Sequence, residues 1–508
     1  MSVFIQAIFA TYALLCLTHL GLQLVLAHAH YLRWREKKRR ATPRRGMPPV
    51  SVIYPVYNEA PDVLERVLDC ARGCLRLRGL ELILVDDGSP NRAELQPIYD
   101  RFRGERVHVL FQENRGKRAA QYAGLAVATG EIIITVDSDT LIDERGIRRL
   151  VAPFDDPKIG AVCGDVVVEN RDVNLLTRLI GLRYWTAFNL ERAAQSFVKQ
   201  VLCCSGPFSA YRGDLLRRVK EKYVAQTFCG RRCTYGDDRH LTNLVLAESY
   251  QVVYEPRAVG RTFVPESLGE YVRQQNRWNK SFYREILWTL PLADRIHPYV
   301  MLDMLLQPVL LVGFTLSLAY SLLAFRQSGD WLLPVYYVAT LVFMSALRAA
   351  YGLFRTLDPR FLLFLLYGFL HVLALVPIRF KSLLTLTDNA WGTRASRGTN
   401  AYRDLAAWAC GYGCLLWATG GLLGVLNPNR SYDAPDASRT FAALVGDWPF
   451  QLAYPLCYAI TLAFLLAVVP RACGRLGRRD QPAAKATRGQ ALSVRDVAAE
   501  PRTEQSLR

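Results

Sequence analysis

From Val3 to about His30 the chain carries no Lys, Arg, Asp or Glu, a run long enough to cross a hydrocarbon core of about 30 Å as a helix. The constraint is severe, because backbone groups in lipid must be satisfied within the segment. Apolar stretches return at about 300–325, 331–353, 361–379, 403–426 and 448–470, while the region between is mixed in polarity. The 508 residues must therefore build two kinds of structure, helices solvated by lipid and a water-facing domain between them. Arg33, Arg35, Lys37, Lys38, Arg39, Arg40, Arg44 and Arg45 follow the first run. A cleaved signal peptide has the reverse order, with charge first and a shorter apolar run after it. By the positive-inside rule this basic segment is cytosolic, so the N-terminus lies outside and the next region inside.

The net charge of +18 raises nucleic acid as a partner. Much of the excess sits in this cluster and in the Arg-rich tail after Pro470, where anionic lipid headgroups are the simpler partner. No basic helix with interleaved aromatics is present, so nucleic acid is excluded. Among the twelve cysteines, Cys70 and Cys74, Cys229 and Cys233, and Cys410 and Cys414 stand four apart, which is helix-face spacing and not a zinc signature. Reduced thiols are expected.

The region from about 48 to 290 alternates strands and helices. Ser51 to Val56 reads as a buried strand, and a helix follows with Leu64, Val67, Leu68 and Ala71 on one face. Leu82 to Val85, Val107 to Phe111 and Ile132 to Val136 are further strands, and residues 117–128 a helix. This pattern predicts an open, mostly parallel α/β sheet with its ligands at the carboxyl edge. No Gly-x-Gly-x-x-Gly follows the first strand, which disfavours a dinucleotide fold.

Acidic residues collect at those strand ends. Asp137 and Asp139 flank one small residue, so both carboxylates can reach one Mg2+ or Mn2+ ion; the pattern also arises by chance. Asp86 and Asp87 serve either a turn or a polar ligand such as a base edge and its ribose. Lys117 and Arg118 follow Gly116 and offer cations to phosphates at a helix start, or are ordinary surface charges. Leu202-Cys203-Cys204-Ser205-Gly206-Pro207 places small residues at a turn that suits close approach of a ligand or a neighbouring backbone. Asp237 and Asp238 head a helix through Leu246, where they suit the dipole or supply a general base. Arg277 offers a planar fork to a diphosphate and Trp278 a flat apolar face to a sugar ring. An amphipathic surface helix is the plainer account of that pair.

Taken together these elements resemble the membrane-embedded processive family 2 glycosyltransferases, and within them the single-polypeptide hyaluronan synthases. The matching residues are Pro55 to Glu59, Val85 to Ser89, Gly116 to Arg118, Asp137 to Asp139, Cys204 to Pro207, Gly236 to Asn243, Gln274 to Glu285 and Trp391 to Arg394. The resemblance implies a cytosolic Rossmann-like GT-A domain inserted between transmembrane helices. It also implies roles: Asp86 at the uridine, Lys117 at the nucleotide, Asp139 as the principal metal ligand with Asp137 nearby, and Asp238 as the base. Arg277 would face the diphosphate and Trp278 the acceptor, and Trp391 and Arg394 would lie on a gating loop near 388–398. Tyr57, Glu59, Asp87, Arg118, Cys204, Ser205, Gln274 and Gln275 complete the expected substrate-binding set, with Asp237 beside the base.

The expected activity is inverting polymerisation of hyaluronan from UDP-glucuronic acid and UDP-N-acetylglucosamine, with export of the growing polysaccharide through the enzyme's own channel. Nodulation-type chitooligosaccharide synthases, which use UDP-N-acetylglucosamine alone, share nearly all the motifs, and Val264 to Leu268 is similar to theirs. The Asp237-Asp238 pair and the Asn-Arg-Trp-Asn-Lys-Ser-Phe run favour hyaluronan. A non-catalytic transporter or receptor is a rival of another class, which the presence of Asp139, Asp238 and Trp278 opposes.

A cytosolic gating loop requires an even number of crossings between the domain and Trp391. The segment 361–380, bounded by Asp358, Arg360, Arg379 and Lys381 and interrupted by Pro377, is expected to stay at the surface or re-enter. The expected layout is a transmembrane helix at 1–31, a basic linker at 32–47, the GT-A domain at 48–290 ending in an amphipathic helix from Ser281 to Leu290, a channel region at 291–470, and a disordered cytosolic tail at 471–508. The protein is then a multi-pass plasma-membrane protein in contact with the lipid bilayer.

Overall fold

The computed structural model describes residues 3–40, 46–328, 332–389 and 401–425. Trp391, Arg394, the apolar stretch at 448–470 and the tail lie outside the described residues.

The domain is built on eight strands: β1 (Val50–Val56), β2 (Leu80–Asp87), β3 (Val107–Gln112), β4 (Ile132–Thr135), β5 (Thr140–Leu141), β6 (Ile159–Val168), β7 (Ser209–Arg212) and, after a small hairpin of β8 (Thr227–Phe228) and β9 (Arg231–Arg232), β10 (Gln251–Thr262). They lie in the order β3-β2-β1-β4-β7-β6-β10-β5. The first four are mutually parallel. β7 runs antiparallel between β4 and β6, and β5 antiparallel to β10. The sheet is therefore mixed, with its parallel half at the N-terminal side, and flanked by helices in the manner of a GT-A fold.

Side chains of one strand alternate between the two faces. Val52, Tyr54, Leu82, Leu84 and Ile134 enter one apolar core, and Ile53, Ile83, Val85 and Ile133 enter the other. The second core does not stop at the domain. Leu20 and Ala27 of the N-terminal helix and Met304, Leu311 and Ala349 of later helices belong to the same cluster.

Among the described residues, five helices are long and apolar enough to cross a membrane: Thr11–Glu36, Pro298–Leu323, Val338–Thr356, Pro359–Leu384 and Tyr402–Leu422. Three details differ from the sequence expectation. The N-terminal helix continues from Val3 to Arg40 through the supposed linker, because its Arg, Lys and Glu residues are good helix formers and the first proline after it is Pro43. Arg33 lies 3.7 Å over the Phe197 ring and Trp34 Nε1 donates to Glu255 Oε1 at 3.2 Å, so part of this segment docks on the domain. Second, Pro377 does not interrupt the segment around 361–380. Helix Phe364–Leu370 passes through a π-helical turn at His371–Leu375 into Val376–Leu384, and Pro377 falls in the first turn of that last piece, where a missing N–H costs little. Third, the amphipathic helix expected over Ser281 to Leu290 begins earlier, at Leu268, and includes Gln274 to Trp278, in line with the surface-helix account of Arg277 and Trp278. Leu268–Thr289 is one helix, capped by Ser267 Oγ accepting from Glu270 N, with no proline before Pro291.

One turn needs glycine. Gly88 closes the turn after β2 with φ +74°, and a Cβ there would lie 2.5 Å from the Asn114 backbone nitrogen. Gly88→Ala is expected to lower stability by about 2 to 3 kcal/mol, read as the shift in the unfolding midpoint at constant slope.

Candidate active site

The carboxyl ends of β1, β2 and β4 converge with the starts of two helices. β4 ends at Thr135, and the Asp137-Ser138-Asp139 turn closes when Thr140 N donates to Asp137 O at 3.0 Å. The pairing of Thr140 with Thr262 across β5 and β10 brings Thr262 Oγ1 to Asp139 Oδ1 at 3.0 Å. Ser138 Oγ donates to Glu59 Oε2 at 2.7 Å, which ties the turn to the loop after β1. Tyr57 on that loop is 38% exposed and so open to a ligand.

Gly116, at φ +90°, starts the helix Lys117–Val127, and Gly236, at φ +83°, starts the helix Asp237–Ala247. Lys117 Nζ joins the two sides, 2.6 Å from Asp137 Oδ1 and 3.0 Å from Asp237 Oδ2. Burial alone would lower the lysine pKa, but the two carboxylates outweigh it and hold the ammonium well above its ordinary range. Burial pushes the Asp137 carboxyl up to about 6 against the pull of Lys117, with Asp139 adding repulsion. Asp237 goes the other way: burial would raise it, yet Lys117 and Arg118 hold it low. Three acids and one ammonium thus share a small volume, and Gly206 keeps it open. A Cβ at Gly206 would lie 3.0 Å from Lys117 Nζ and 3.3 Å from Asp137 Oδ2.

Asp238 sits beside Asp237 but is less buried. Its Oδ1 accepts from Arg239 N at 2.8 Å and its Oδ2 from the Cys203 thiol at 3.3 Å. Arg277 lies half-buried on the helix Leu268–Thr289; burial, and then Arg273, bring its guanidinium down to about 10. Trp278 is 45% exposed, with its ring 6.1 Å from that of Tyr184. Gln274 and Gln275 lie half-buried beside them, and Gln274 Oε1 is enclosed without a hydrogen-bond partner among the described residues.

Three residues expected at the substrate face inward instead. Asp86 is fully buried: its Oδ1 accepts from Gly88 N, Ser89 N and Arg92, and its Oδ2 from Tyr99 OH. It shapes the loop after β2. Arg118 is 5% exposed and donates to the carbonyls of Tyr223 and Tyr235, so it supports the turn before Asp237. The Cys204 side chain is buried, and its backbone N–H donates to Thr242 Oγ1 at 2.9 Å. Ser205 remains at the edge of the site, its carbonyl accepting from Ser209 Oγ. Asp87 is also committed, to Gln112 Nε2 and to the backbone N–H groups of Arg115 and Gly116, and through them it sets the start of the Lys117 helix.

Residues 386–389, which follow the helix Val376–Leu384, approach the site. Lys280 Nζ lies 2.8 Å from Asp388 Oδ2, and Tyr235 OH donates to Asp388 O at 2.5 Å, one residue before Gly236. Sequence reasoning named Cys203 and Ser138 only as members of the Leu202 to Pro207 turn and the Asp137 to Asp139 motif, without a role of their own, and did not single out Thr262 or Asp388.

As for a metal, no cluster of three or more His, Cys, Asp or Glu suited to an ion occurs among the described residues. The two carboxylates at 137 and 139 suit a hard cation that keeps waters and takes phosphate oxygens for its other positions, so the donor set fits Mg2+ or Mn2+.

Residues 51–220 match the model of Glycosyl transferase family 2. An N-acetylglucosaminyltransferase of Azorhizobium caulinodans is 36% identical over 356 residues, 69% of this chain and 88% of that protein. Its counterpart in Neorhizobium galegae is 35% identical over 353 residues, 69% of this chain and 81% of that protein. Among solved structures, a mannosyltransferase from Pyrobaculum calidifontis in complex with GDP-Man and Mn2+ aligns with TM-score 0.46 and 23% identity, covering 72% of this chain and 98% of that one. With relatives of this identity matched over most of their length, the chain belongs to glycosyltransferase family 2, as a membrane-associated enzyme that draws on a nucleotide-sugar donor.

Proposed function

We propose that the protein is a processive, inverting N-acetylglucosaminyltransferase that extends a chitooligosaccharide-type chain from UDP-N-acetylglucosamine. The observation that carries this reading is the match to the Azorhizobium N-acetylglucosaminyltransferase across 88% of its length. Asp238 acts as the base: as the acceptor hydroxyl attacks the anomeric carbon, its proton passes to the carboxylate, the new C–O bond forms, and the bond to UDP breaks from the opposite face. Arg277 and Lys117 receive the departing diphosphate charge. Trp278 carries the acceptor ring, and Asp237 keeps Lys117 in place. Asp137 and Asp139 hold a divalent cation, which when bound offsets charge on the diphosphate.

In this reading the domain faces the cytosol and the N-terminus the outside of the plasma membrane. The segment 361–380 stays on the cytosolic side, and the chain leaves through the helices beneath Trp278. A second reading, hyaluronan synthesis with UDP-glucuronic acid as a further donor, draws on the Asp237-Asp238 pair and on the Asn279 to Phe282 continuation.

Purified protein in lipid nanodiscs, supplied with UDP-N-acetylglucosamine and Mg2+ or Mn2+, is expected to release UDP and form a chitinase-sensitive product. The product should resist hyaluronan lyase even when UDP-glucuronic acid is added, and chelation of the metal should stop the reaction. Product only when both donors are present would select the hyaluronan reading, and no UDP release from any UDP-sugar would sink both.

A further inference from the structure

Asp303 lies in the helix Pro298–Ser328, whose sequence holds no other acid, and is 1% exposed. Its Oδ1 accepts from His19 Nε2 at 2.7 Å and from Gln23 Nε2 at 2.9 Å, both on the N-terminal helix. Its Oδ2 accepts from Gln195 Nε2 at 2.7 Å. A carboxylate enclosed among apolar helices is costly, and a packed apolar side chain would hold the helices together without that cost. A staple between helices does not by itself account for an acid here.

Gln195 offers a second account. Because its amide nitrogen is committed to Asp303, its oxygen can point only the other way, and there it accepts from Leu202 N at 3.0 Å. Leu202 opens the turn that meets the base. The next residue, Cys203, places its thiol 3.3 Å from Asp238 Oδ2, and its carbonyl accepts from Arg192 Nε at 3.1 Å. Cys204 N donates to Thr242 Oγ1, which in turn donates to Asp238 O at 2.7 Å. An acid on a membrane helix is thus joined to the Asp238 carboxylate by three hydrogen bonds and one turn of chain.

We propose that Asp303 is a positioning residue for sugar transfer: by orienting Gln195 it fixes the turn from Leu202 to Gly206 against Asp238. The proposal rests on Asp238 being the base. A displacement of the helix Pro298–Ser328 then reaches the base through Gln195, so the state of the membrane helices and the rate of transfer are linked.

The test uses the full chain in nanodiscs. Gln195→Met keeps the side-chain length and removes both hydrogen bonds; kcat is expected to fall ~10-fold or more with the donor KM within ~2-fold. Cys203→Ala should lower kcat in the same way, and the double variant should lose little more than the worse single one, because both act through one turn. Asp303→Asn, isosteric with the native residue, serves as a second probe should Gln195→Met fail to fold, and should show the same split between kcat and KM. Gln23→Leu removes a bond to the same carboxylate on the far side from the turn. It should lower the unfolding temperature without the kcat loss.

Fully additive effects of Gln195→Met and Cys203→Ala, unchanged kcat in a folded Gln195→Met or Asp303→Asn, or an equal kcat loss in Gln23→Leu would overturn the proposal. Failure of the base assignment itself is read separately, as polymer formation by Asp238→Asn.

Discussion

Asp238→Asn is expected to abolish chain extension while leaving donor binding intact. The amide keeps the shape and can still accept from Arg239 N, with its nitrogen then donating toward Cys203 Sγ, but it cannot take a proton. Loss of a positioned general base costs about 10² to 10⁴ in rate, and a slow polymerase would fall below detection at the upper end of that range. Asp237 does not substitute for it, because its carboxylate is already paired with Lys117 at 3.0 Å and more deeply buried. UDP release measured beside UDP binding by calorimetry separates the two effects. Polymer of normal length from the variant would remove Asp238 from the role.

The second large effect is expected from Lys117→Met. Its ammonium is the shared partner of Asp137 and Asp237, with only 19% of its side chain exposed. Removing one member of a buried ion pair leaves charge without compensation and costs about 3 kcal/mol. Donor affinity should fall as well, since the remaining acids repel a diphosphate.

The pH dependence has a definite sign. Burial already raises Asp137 to about 6 with Lys117 in place, so its carboxyl favours the folded state below its unfolded value and loses that contribution as the pH rises through 6. Without the ammonium it is raised further. The part of the stability gap that comes from Asp137 is therefore widest above the variant's raised value and narrows as the pH falls to about 6, below which Asp137 is protonated in both proteins and no longer calls for a cation. Denaturant midpoints of both proteins at neutral and mildly acidic pH test this; a gap that widens on acidification would show that Lys117 does not neutralise Asp137.

Much of the domain was readable because short continuous apolar runs bounded by acids and glycines leave few alternatives to a buried strand. Residues 51–56, 82–85 and 107–111 all fall inside observed strands. Leu64, Val67, Leu68 and Ala71, inferred from spacing, are all buried. The antiparallel insertion of β7 was not readable, because a four-residue strand such as Ser209 to Arg212 carries no direction in its sequence. In the site, spacing brought out Asp137, Asp139, Asp237 and Asp238 but not the orientation of Asp86 or Arg118. Whether a carboxylate at a strand end faces a ligand or its own loop depends on which donors the fold delivers, and for Asp86 these are Arg92 and Tyr99. Asp303 stood in plain view as a lone acid in an apolar stretch, yet its partners, up to 284 residues away in sequence, needed the fold to appear.

The apolar cluster that contains Ile53 and Val85 of the sheet also contains Leu20, Met304 and Leu311 of the membrane helices. A fragment cut at residues 48 and 290 would therefore carry an open greasy wound on one side of its sheet. Expression of that fragment should give inclusion bodies, whereas detergents or lipids gentle enough to spare the helices should preserve catalysis. The bilayer is then a silent subunit of the enzyme, and the choice of membrane mimetic is a choice of assay conditions.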